Sequence, residues 1–297
     1  MTRASTAGTA AALELNAGPM RLALRPDLGG CVAGLWHGDQ PVLVSADPAA
    51  LVSAWPSGCF VMAPYSNRLG GSQFEWLGQR YSVARNNARS VHAMHGAAWA
   101  AVWQVRSASR NQAELEYLHR PDAHWPFAFC LRQHFSLSTG GLRMQLQLRS
   151  TDARSQPAGL GWHPYFPKRL QSHLTAAVTG RWQPEPGGEL PTRRLAQAGL
   201  DADVAALDFD HCFDGWAGVA QLRDECLAIT LRSSLPCLVV YTPPERPFFC
   251  VEPVSHVNNA LNLDDPAALG VRALAPGQTL TADFSLDVTP SRPQASA

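Results

Sequence analysis

The most informative chemical group in the sequence is a carboxylate at the end of an apolar strand. Glu252 follows Phe248-Phe-Cys-Val and precedes Pro253. A carboxylate in such a run is costly to bury unless it is exposed, paired or used in chemistry. Its ordinary pKa of about 4.3 makes it a base near neutral pH. Glu252 is therefore the first candidate for a general base.

A histidine in a second apolar run supplies a group that can give and take protons. His163 lies in the segment Gly159-Leu-Gly-Trp-His-Pro-Tyr-Phe166. An imidazole with an ordinary pKa of about 6.5 changes charge near neutral pH. A hydrogen-bonded core histidine explains most single examples equally well, so this residue alone leaves both interpretations open.

Three further segments place polar side chains in apolar or turn-rich surroundings. Asn67 and Arg68, before a Gly-Gly turn, offer an amide and a guanidinium fork that suit sugar hydroxyls. His95 suits a neutral hydrogen-bonding role, and Asp210 could accept hydrogen bonds from two adjacent hydroxyls. A salt-bridged loop arginine and an ordinary turn aspartate are the competing interpretations.

Two of the histidines also raise the question of a metal site. His92 and His95 are three residues apart, whereas strand residues on one face are an even number apart. No Asp or Glu nearby completes a ligand set, and there is no CxxC pair. The sequence therefore predicts no metal site and no cofactor.

Short strands must position these groups, because a period of two recurs along the chain. The clearest example is Leu142-Arg-Met-Gln-Leu-Gln-Leu-Arg149, in which alternate residues are apolar. Strands without intervening helices imply stacked antiparallel sheets, so we expect an all-β fold, a large antiparallel β-sandwich with few short helices. The predicted strands are Met20 to Leu24, Val102 to Val105, Ala113 to Tyr117, Phe127 to Leu137, Leu142 to Leu148, Cys226 to Leu231, Cys237 to Tyr241, Phe248 to Glu252 and Leu280 to Val288.

The chain shows no internal repeat and no linker that would divide it. We therefore predict one domain over residues 1–297, with a disordered tail at 290–297. The Pro- and Gly-rich stretch from Gln183 to Pro191 is interpreted as an excursion loop. Short helices are predicted around Pro48 to Val52 and Asp264 to Leu269.

Composition excludes several classes of function. Among 297 residues, 24 are basic and 24 acidic, and the basic residues are scattered, so nucleic acid is not an expected partner. No run approaches the roughly 20 apolar residues of a membrane-spanning helix, and the first residues lack a signal-peptide core. Seven widely spaced cysteines are typical of a reducing compartment, so we predict a cytoplasmic protein, monomeric or homodimeric.

The polar segments, taken together and in order, resemble the aldose 1-epimerase (galactose mutarotase-like) family. The resemblance runs from about Leu22 to Val288. The matching segments are Asn67-Arg68-Leu69, Gly78 to Tyr81, Asn86, His95-Gly96, His163-Pro164-Tyr165-Phe166, Asp210-His211-Cys212-Phe213, Glu252-Pro253 and Asn259-Ala260-Leu261-Asn262. The chain has Trp162 and Pro164 around His163, where the galactose mutarotases proper typically have Asn and Ser.

The resemblance implies a β-supersandwich with an open cleft for a monosaccharide. It also implies an isomerase in which Glu252 is the base and His163 the acid. Arg68, His95 and Asp210, together with Asn67, would position the sugar. The enzyme would interconvert α- and β-anomers of a free aldose by opening and reclosing the ring.

The chemistry of anomer exchange needs only these two residue types. A base removes the anomeric hydroxyl proton, an acid protonates the ring oxygen, and each group contributes about 10²–10⁴-fold when it is within hydrogen-bond reach. A carboxylate and an imidazolium coexist only between pKa values of about 4.3 and 6.5 unless the site shifts them. We therefore expect a carboxylate, Glu252 or another, to raise the pKa of His163.

Two other functions compatible with these residues remain open. A hexose-6-phosphate mutarotase would need a cluster of basic residues at the rim of the cleft, which scattered arginines neither supply nor exclude. A non-catalytic carbohydrate-binding protein would need the aromatic and hydrogen-bonding residues without His163 and Glu252 together.

Overall fold

The regular structure of the fold is mainly β-strand. The computed structural model describes residues 12–88 and 90–291. The strands of this part of the chain are β1 (Leu13–Ala17), β2 (Met20–Arg25), β3 (Cys31–His37), β4 (Gln40–Pro41), β5 (Cys59–Met62), β6 (Arg68–Leu69), β7 (Gln73–Trp76), β8 (Gln79–Ser82), β9 (Ala93–Met94), β10 (Gln104–Ala108), β11 (Gln112–His119), β12 (Phe129–Ser138), β13 (Gly141–Ser150), β14 (Gln156–Ala158), β15 (Gly161–Pro167), β16 (His173–Ala176), β17 (Gly180–Pro184), β18 (Pro191–Ala196), β19 (Leu200–Asp203), β20 (Asp210–Asp214), β21 (Val219–Arg223), β22 (Leu227–Ser233), β23 (Cys237–Tyr241), β24 (Phe248–Val254), β25 (Arg272–Leu274) and β26 (Thr279–Pro290).

In the part of the chain that the structure describes, helical structure is limited to single turns. The 3₁₀ helices of the described residues are Pro48–Ala50, Gly70–Ser72, Ala98–Ala100, Val204–Ala206 and Ala260–Asn262. Across residues 12–88 and 90–291, no helix has the length and apolar character needed to cross a membrane.

Two large antiparallel sheets form the body of the molecule. The eleven-stranded sheet has the order β1-β2-β3-β5-β15-β24-β23-β20-β17-β18, with β4 paired to β3. The nine-stranded sheet has the order β10-β11-β12-β13-β26-β22-β21-β16-β19. Three two-stranded ribbons, β14-β25, β6-β9 and β7-β8, and an isolated parallel bridge between Ala63 and Gly96 complete the pairing of the described residues. This is the all-β, stacked antiparallel architecture that the period-two pattern predicted.

The core lies between the two large sheets. Trp162 on β15 and Phe284 on β26 meet across it, with ring centroids 5.4 Å apart, and both side chains are buried. Because side chains alternate across a strand, a strand that turns Trp162 into the core turns His163 to the opposite face. The candidate catalytic residues therefore lie on the outer face of the eleven-stranded sheet.

The strand predictions agree with the structure apart from shifts at the ends. Cys237 to Tyr241 has the predicted bounds, and the strand predicted from Val102 begins at Gln104 instead. The helix predicted at Asp264 to Leu269 is wrong: only turns form there, with Leu269 N–H bonded to Asp265 O, and Gly270, at φ 99°, ends them.

Two predictions about irregular segments have different outcomes. The loop predicted from Gln183 to Pro191 is shorter in the structure: residues 185–190 connect β17 and β18 of a hairpin, and Gln183, Pro184 and Pro191 belong to the paired strands. The predicted tail at 290–297 is partly wrong, because β26 continues to Pro290, where it still pairs with Leu227. Residues 292–297 lie outside the described residues, and the single-domain assignment stays a prediction.

Candidate active site

His163 and Glu252 occupy facing positions on neighbouring strands. The register of β15 and β24 pairs Gly161 with Val254 and Tyr165 with Cys250, which places His163 opposite Glu252. The His163 Nε2 atom lies 3.4 Å from Glu252 Oε1, and the two side chains are only 8% and 2% exposed. Directly opposite residues on one face of an antiparallel pair are within side-chain reach. The two groups predicted to act as acid and base are thus in contact.

Two aromatic rings pack against the His163 imidazole. Tyr165, two residues further along β15, stacks on it with ring centroids 4.5 Å apart and 18° between the planes. Phe60, its ladder partner on β5, approaches to 4.7 Å. The alternation of a strand indicates that Tyr165 shares the face of His163. No local signal in the sequence identifies Phe60.

The environment lowers the pKa of His163 to about 3, and burial is the cause. The imidazolium would lose its hydration against these two aromatic rings, and that penalty favours the neutral form. The expectation that a carboxylate raises the pKa of this histidine is therefore wrong. The partner carboxyl is buried too and does not supply the fixed negative charge that the expectation required.

Burial raises the pKa of Glu252 well above its ordinary value. The Asp210 carboxylate raises it further, and the Arg68 guanidinium opposes both effects. A low pKa on the histidine and a high pKa on the glutamic acid leave one proton on the pair, carried by Glu252. The neutral pair and the ion pair differ only by the transfer of this proton between Oε1 and Nε2.

His95 and Asn67 hold each other in left-handed backbone conformations. Their φ angles are 60° and 55°. Asn67 N–H donates to His95 Nδ1 at 3.2 Å, and His95 N–H donates to Asn67 O at 2.9 Å. A backbone N–H can only donate, so Nδ1 is unprotonated and Nε2 carries the hydrogen of the neutral ring. Burial keeps the pKa of His95 well below its ordinary value, which supports the neutral role predicted for it.

Arg68 lies between two carboxylates. Its Nη1 is 3.3 Å from Asp210 Oδ2, and its Nε is 3.4 Å from Glu189 Oε2. The contact with Glu189 is an ion pair in which the Nε–H is not aligned for a hydrogen bond. Asn67 Oδ1 accepts a hydrogen bond from Arg68 N–H at 2.8 Å. The structure therefore brings together Asn67, Arg68 and Asp210, three of the residues named as candidates for positioning a sugar.

Besides Phe60, sequence reasoning missed three residues of this site. Glu189 comes from the β17–β18 loop and reaches Arg68. Trp55 is 40% exposed and contacts His95, with ring centroids 5.8 Å apart. Cys250 is fully buried, two residues before Glu252 on the same face of β24, and strand alternation could have identified it.

His92 and His95 do not form the metal pair considered from their spacing. His92 Nδ1 accepts a hydrogen bond from Gly71 N–H at 2.9 Å, and His95 Nδ1 accepts one from Asn67 N–H. Each ring thus uses one nitrogen on the main chain, and the two rings are held by different loops.

A separate groove of about 730 Å³ lies on the outer face of the nine-stranded sheet. Its polar side chains contact one another: Gln145 Nε2 donates to Asp283 Oδ1 at 2.9 Å, and His134 Nδ1 lies 3.7 Å from Glu114 Oε2. None of the groove's side-chain polar atoms is both buried and unpartnered. The groove thus lacks the buried, unpartnered polar atoms that His163 and Glu252 carry.

The family model for aldose 1-epimerases matches residues 12–287 of this chain. The chain belongs to the aldose 1-epimerase family. The resemblance drawn from the ordered polar segments is thereby confirmed. Its fold is that of the family as well.

Similar proteins support the family assignment and the fold. The uncharacterised protein YphB of Escherichia coli (strain K12) is 29% identical over 278 residues, covering 88% of this chain and 93% of its own length. A crystal structure of an E. coli K12 protein assigned by inference to the aldose 1-epimerases has a TM-score of 0.86 at 28% identity, covering 95% of this chain and 99% of its own. A galactose mutarotase-like protein of Clostridium acetobutylicum superposes with a TM-score of 0.83 at 18% identity, over 94% and 95% of the two chains, and shows the shared fold.

Proposed function

We propose that this protein is a mutarotase that interconverts the α- and β-anomers of a free aldose, with His163 and Glu252 as its acid–base pair. One observation carries the proposal: two proton-carrying side chains face each other at 3.4 Å on the outer face of a sheet. Around them lie Arg68, Asp210 and the neutral ring of His95, which are groups that bind hydroxyls. Membership of the aldose 1-epimerase family supports the same activity.

The reaction moves protons and breaks one bond. A base takes the proton of the anomeric hydroxyl, an acid delivers a proton to the ring oxygen, and the C1–O5 bond breaks to give the open-chain aldehyde. Rotation about C1–C2 and the reverse steps give the other anomer. The net number of protons on the enzyme does not change, so a pair that carries one proton throughout is sufficient.

The resting protonation states of His163 and Glu252 differ from those that the acid and base roles need. Burial favours neutral His163 with protonated Glu252, whereas the assigned roles need imidazolium and carboxylate. Transfer of the shared proton from Glu252 to His163 across the 3.4 Å contact gives those forms. A bound sugar would assist the transfer, because its hydroxyls would solvate the charges that burial penalises.

The surrounding residues are assigned to sugar recognition. Arg68 supplies its guanidinium, His95 its Nε2–H, and Asp210 its half-exposed carboxylate. Asn67 uses its carboxamide oxygen on Arg68 N–H, so we assign its Nδ2 donors to the sugar. Trp55 presents a partly exposed ring beside His95, and aromatic faces of this kind pack against the apolar faces of sugars.

A free sugar fits this site better than a hexose 6-phosphate. Arg68 already contacts the carboxylates of Asp210 and Glu189. A phosphate that approached Arg68 would be repelled by these two carboxylates. A phosphate site normally offers more positive than negative charge. We therefore propose that neutral aldoses are the substrates.

Polarimetry tests the proposal directly. The rate of anomer exchange is measured with freshly dissolved α-anomers of glucose, galactose, arabinose, xylose and a uronic acid, and with glucose 6-phosphate. We expect acceleration above the buffer rate for at least one free aldose and less for the phosphate ester. Binding of a sugar in calorimetry with no acceleration would replace the enzyme by a carbohydrate-binding protein. The cytoplasmic location and the monomeric or dimeric state stay predictions.

A further inference from the structure

Cys250 places a third metal-binding atom beside the acid–base pair. A ring nitrogen of His163, Sγ of Cys250 and a carboxylate oxygen of Glu252 all lie within 4.8 Å of one another, and all three residues are buried. Among the residues that the structure describes, no other group of three such side chains forms a cluster of this kind. One histidine, one cysteine and one carboxylate are ligands typical of Zn²⁺.

The spacing is close to that of a tetrahedral zinc site. Zinc bonds of about 2.0–2.1 Å to nitrogen and oxygen at a tetrahedral angle separate those two ligand atoms by about 3.4 Å. The Nε2–Oε1 distance between His163 and Glu252 is 3.4 Å. A sulfur ligand at about 2.3 Å would lie about 3.6 Å from the other two atoms, so the thiol needs to approach by little more than about 1 Å.

Two polar atoms of this cluster have no hydrogen-bond partner in the protein. His163 Nδ1 and Glu252 Oε2 are buried and have no hydrogen-bond partner. Buried polar atoms are bonded in the great majority of cases, and exceptions mark functional sites. The imidazole and the carboxylate thus each keep an atom that is free to contact a bound ligand.

We propose that His163, Cys250 and Glu252 form an inhibitory site for a thiophilic divalent cation, for which Zn²⁺ is the fitting ion. Binding converts the Cys250 thiol to a thiolate and the Glu252 carboxyl to a carboxylate, and both protons pass to water or buffer. The neutral His163 imidazole already has the form that a metal ligand needs. The fourth coordination position would be filled by water.

The cation would prevent catalysis by occupying both reactive atoms. His163 Nε2 and Glu252 Oε1 cannot exchange protons with a sugar while they bind a metal. Inhibition should therefore be competitive with the aldose and should be reversed by a chelator. This consequence rests on the proposed mutarotase activity, whereas the binding itself does not.

Metal binding is tested on the full chain with the metal alone. Zn²⁺ is titrated calorimetrically into metal-free protein, and Co²⁺ is titrated with absorption spectroscopy, in which a thiolate ligand gives an intense near-ultraviolet charge-transfer band. We expect one Zn²⁺ per chain and the thiolate band. Cys250→Ser and Cys250→Ala should each weaken Zn²⁺ binding by at least about tenfold and remove the band.

Cys237→Ser is the matched control, because Cys237 is a buried thiol of the same sheet, on β23, and lies outside the cluster. It should retain both the affinity and the band. Circular dichroism and thermal unfolding confirm that each variant is folded, and the use of two substitutions at Cys250 keeps the test valid if one of them does not fold.

The outcomes separate this site from the proposed activity. Zn²⁺ affinity that is unchanged in a folded Cys250 variant, or the absence of binding by the wild type, would overturn the metal site and leave the mutarotase proposal intact. Binding with a thiolate band in a protein that accelerates no anomer exchange would keep the site and refute the activity. Where exchange is observed, each variant's inhibition by Zn²⁺ is expressed relative to its own metal-free rate.

Discussion

The ring of Tyr165 lies flat against the imidazole of His163, 4.5 Å between centroids and 18° between planes. Together with Phe60, whose ring centroid lies 4.7 Å from that of the imidazole, it keeps His163 out of water and its pKa near 3. The proton of the pair therefore resides on Glu252, whose pKa is raised. This arrangement sets several measurable properties of the site.

Removing the stacked ring should bring the pKa of His163 back toward its ordinary value. Tyr165→Ala admits water to the imidazole, and we expect a rise of about 1 unit or more because desolvation is the main cause of the low value. Tyr165→Phe keeps the ring and should change the pKa of His163 little. Histidine carbon NMR during a pH titration measures both. Equal values in wild type and Tyr165→Ala would show that this ring is not the cause.

Loss of either proton-carrying group should remove most of the catalysis. Glu252→Gln and His163→Asn keep approximate size but cannot exchange protons, so each should slow anomer exchange by about 10²–10⁴-fold. Polarimetric rates with the preferred aldose measure the effect, and far-ultraviolet circular dichroism checks the fold. A wild-type rate in either folded variant would refute the assignment.

The charges near Glu252 should move the alkaline limit of the pH–rate profile in opposite directions. The Arg68 cation lowers the pKa of Glu252, so Arg68→Gln should raise it. The Asp210 carboxylate raises that pKa, so Asp210→Asn should lower it. The pair works with one proton, which is lost as pH rises through the pKa of Glu252, so the alkaline limb should shift up in the first variant and down in the second. Shifts of the same sign would contradict this account.

The acid limb of the same profile should lie near pH 3, where His163 takes up a second proton. This limb should hardly move in Arg68→Gln or Asp210→Asn, since burial, not these charges, lowers the pKa of His163. An acid limb near 6.5 in the wild type would mean that His163 titrates as an ordinary, hydrated imidazole.

Trp55 should contribute to sugar affinity and not to the chemical step. Trp55→Ala removes a partly exposed aromatic face beside His95 and should raise KM several-fold with little change in kcat. Val52→Ala, at an 87% exposed position nearby in sequence, is the control and should change neither constant. A selective fall in kcat would indicate instead that Trp55 orients His95.

Gly96 should be essential to the loop that carries His95. Its φ is 72°, and a Cβ there would lie 2.1 Å from Ala63 O. Gly96→Ala should therefore reduce the free energy of unfolding by more than about 2 kcal/mol, measured by urea denaturation. Gly38 has a φ of 58° and open space around its Cβ direction, so Gly38→Ala should cost only about 1 kcal/mol. Equal losses would mean that the contact with Ala63 relaxes freely.

The sequence predicted the strands and named candidate site residues, but it did not predict the contacts between them. Period two places His163 and Tyr165 on one face of a strand, and Glu252 is recognisable as a carboxylate in an apolar run. The register that sets His163 opposite Glu252 is fixed by the pairing of strands far apart in the chain, and local pattern does not encode it. The error over the pKa of His163 has the same origin, because Phe60 reaches it from another strand.

Some residues of the family resemblance form hydrogen bonds to the backbone of loops. Asn86 bonds through its side chain to the main chain of Met94 and Gly96, around His95. Asn259 Oδ1 accepts a hydrogen bond from Gly70 N–H, just after Arg68. These motif positions hold the backbone that presents functional groups. Residue type alone does not distinguish such supporting residues from those that contact a substrate.

The strands that carry His163 and Glu252 are adjacent in the interior of the eleven-stranded sheet, with paired neighbours on both sides. Their amide hydrogens should exchange with solvent only through global unfolding, whereas Asn67 and Glu189 lie in connecting segments that can open locally. The proton-transfer geometry is thus as durable as the fold itself. Changes in sugar preference can accumulate in the loops without disturbing it.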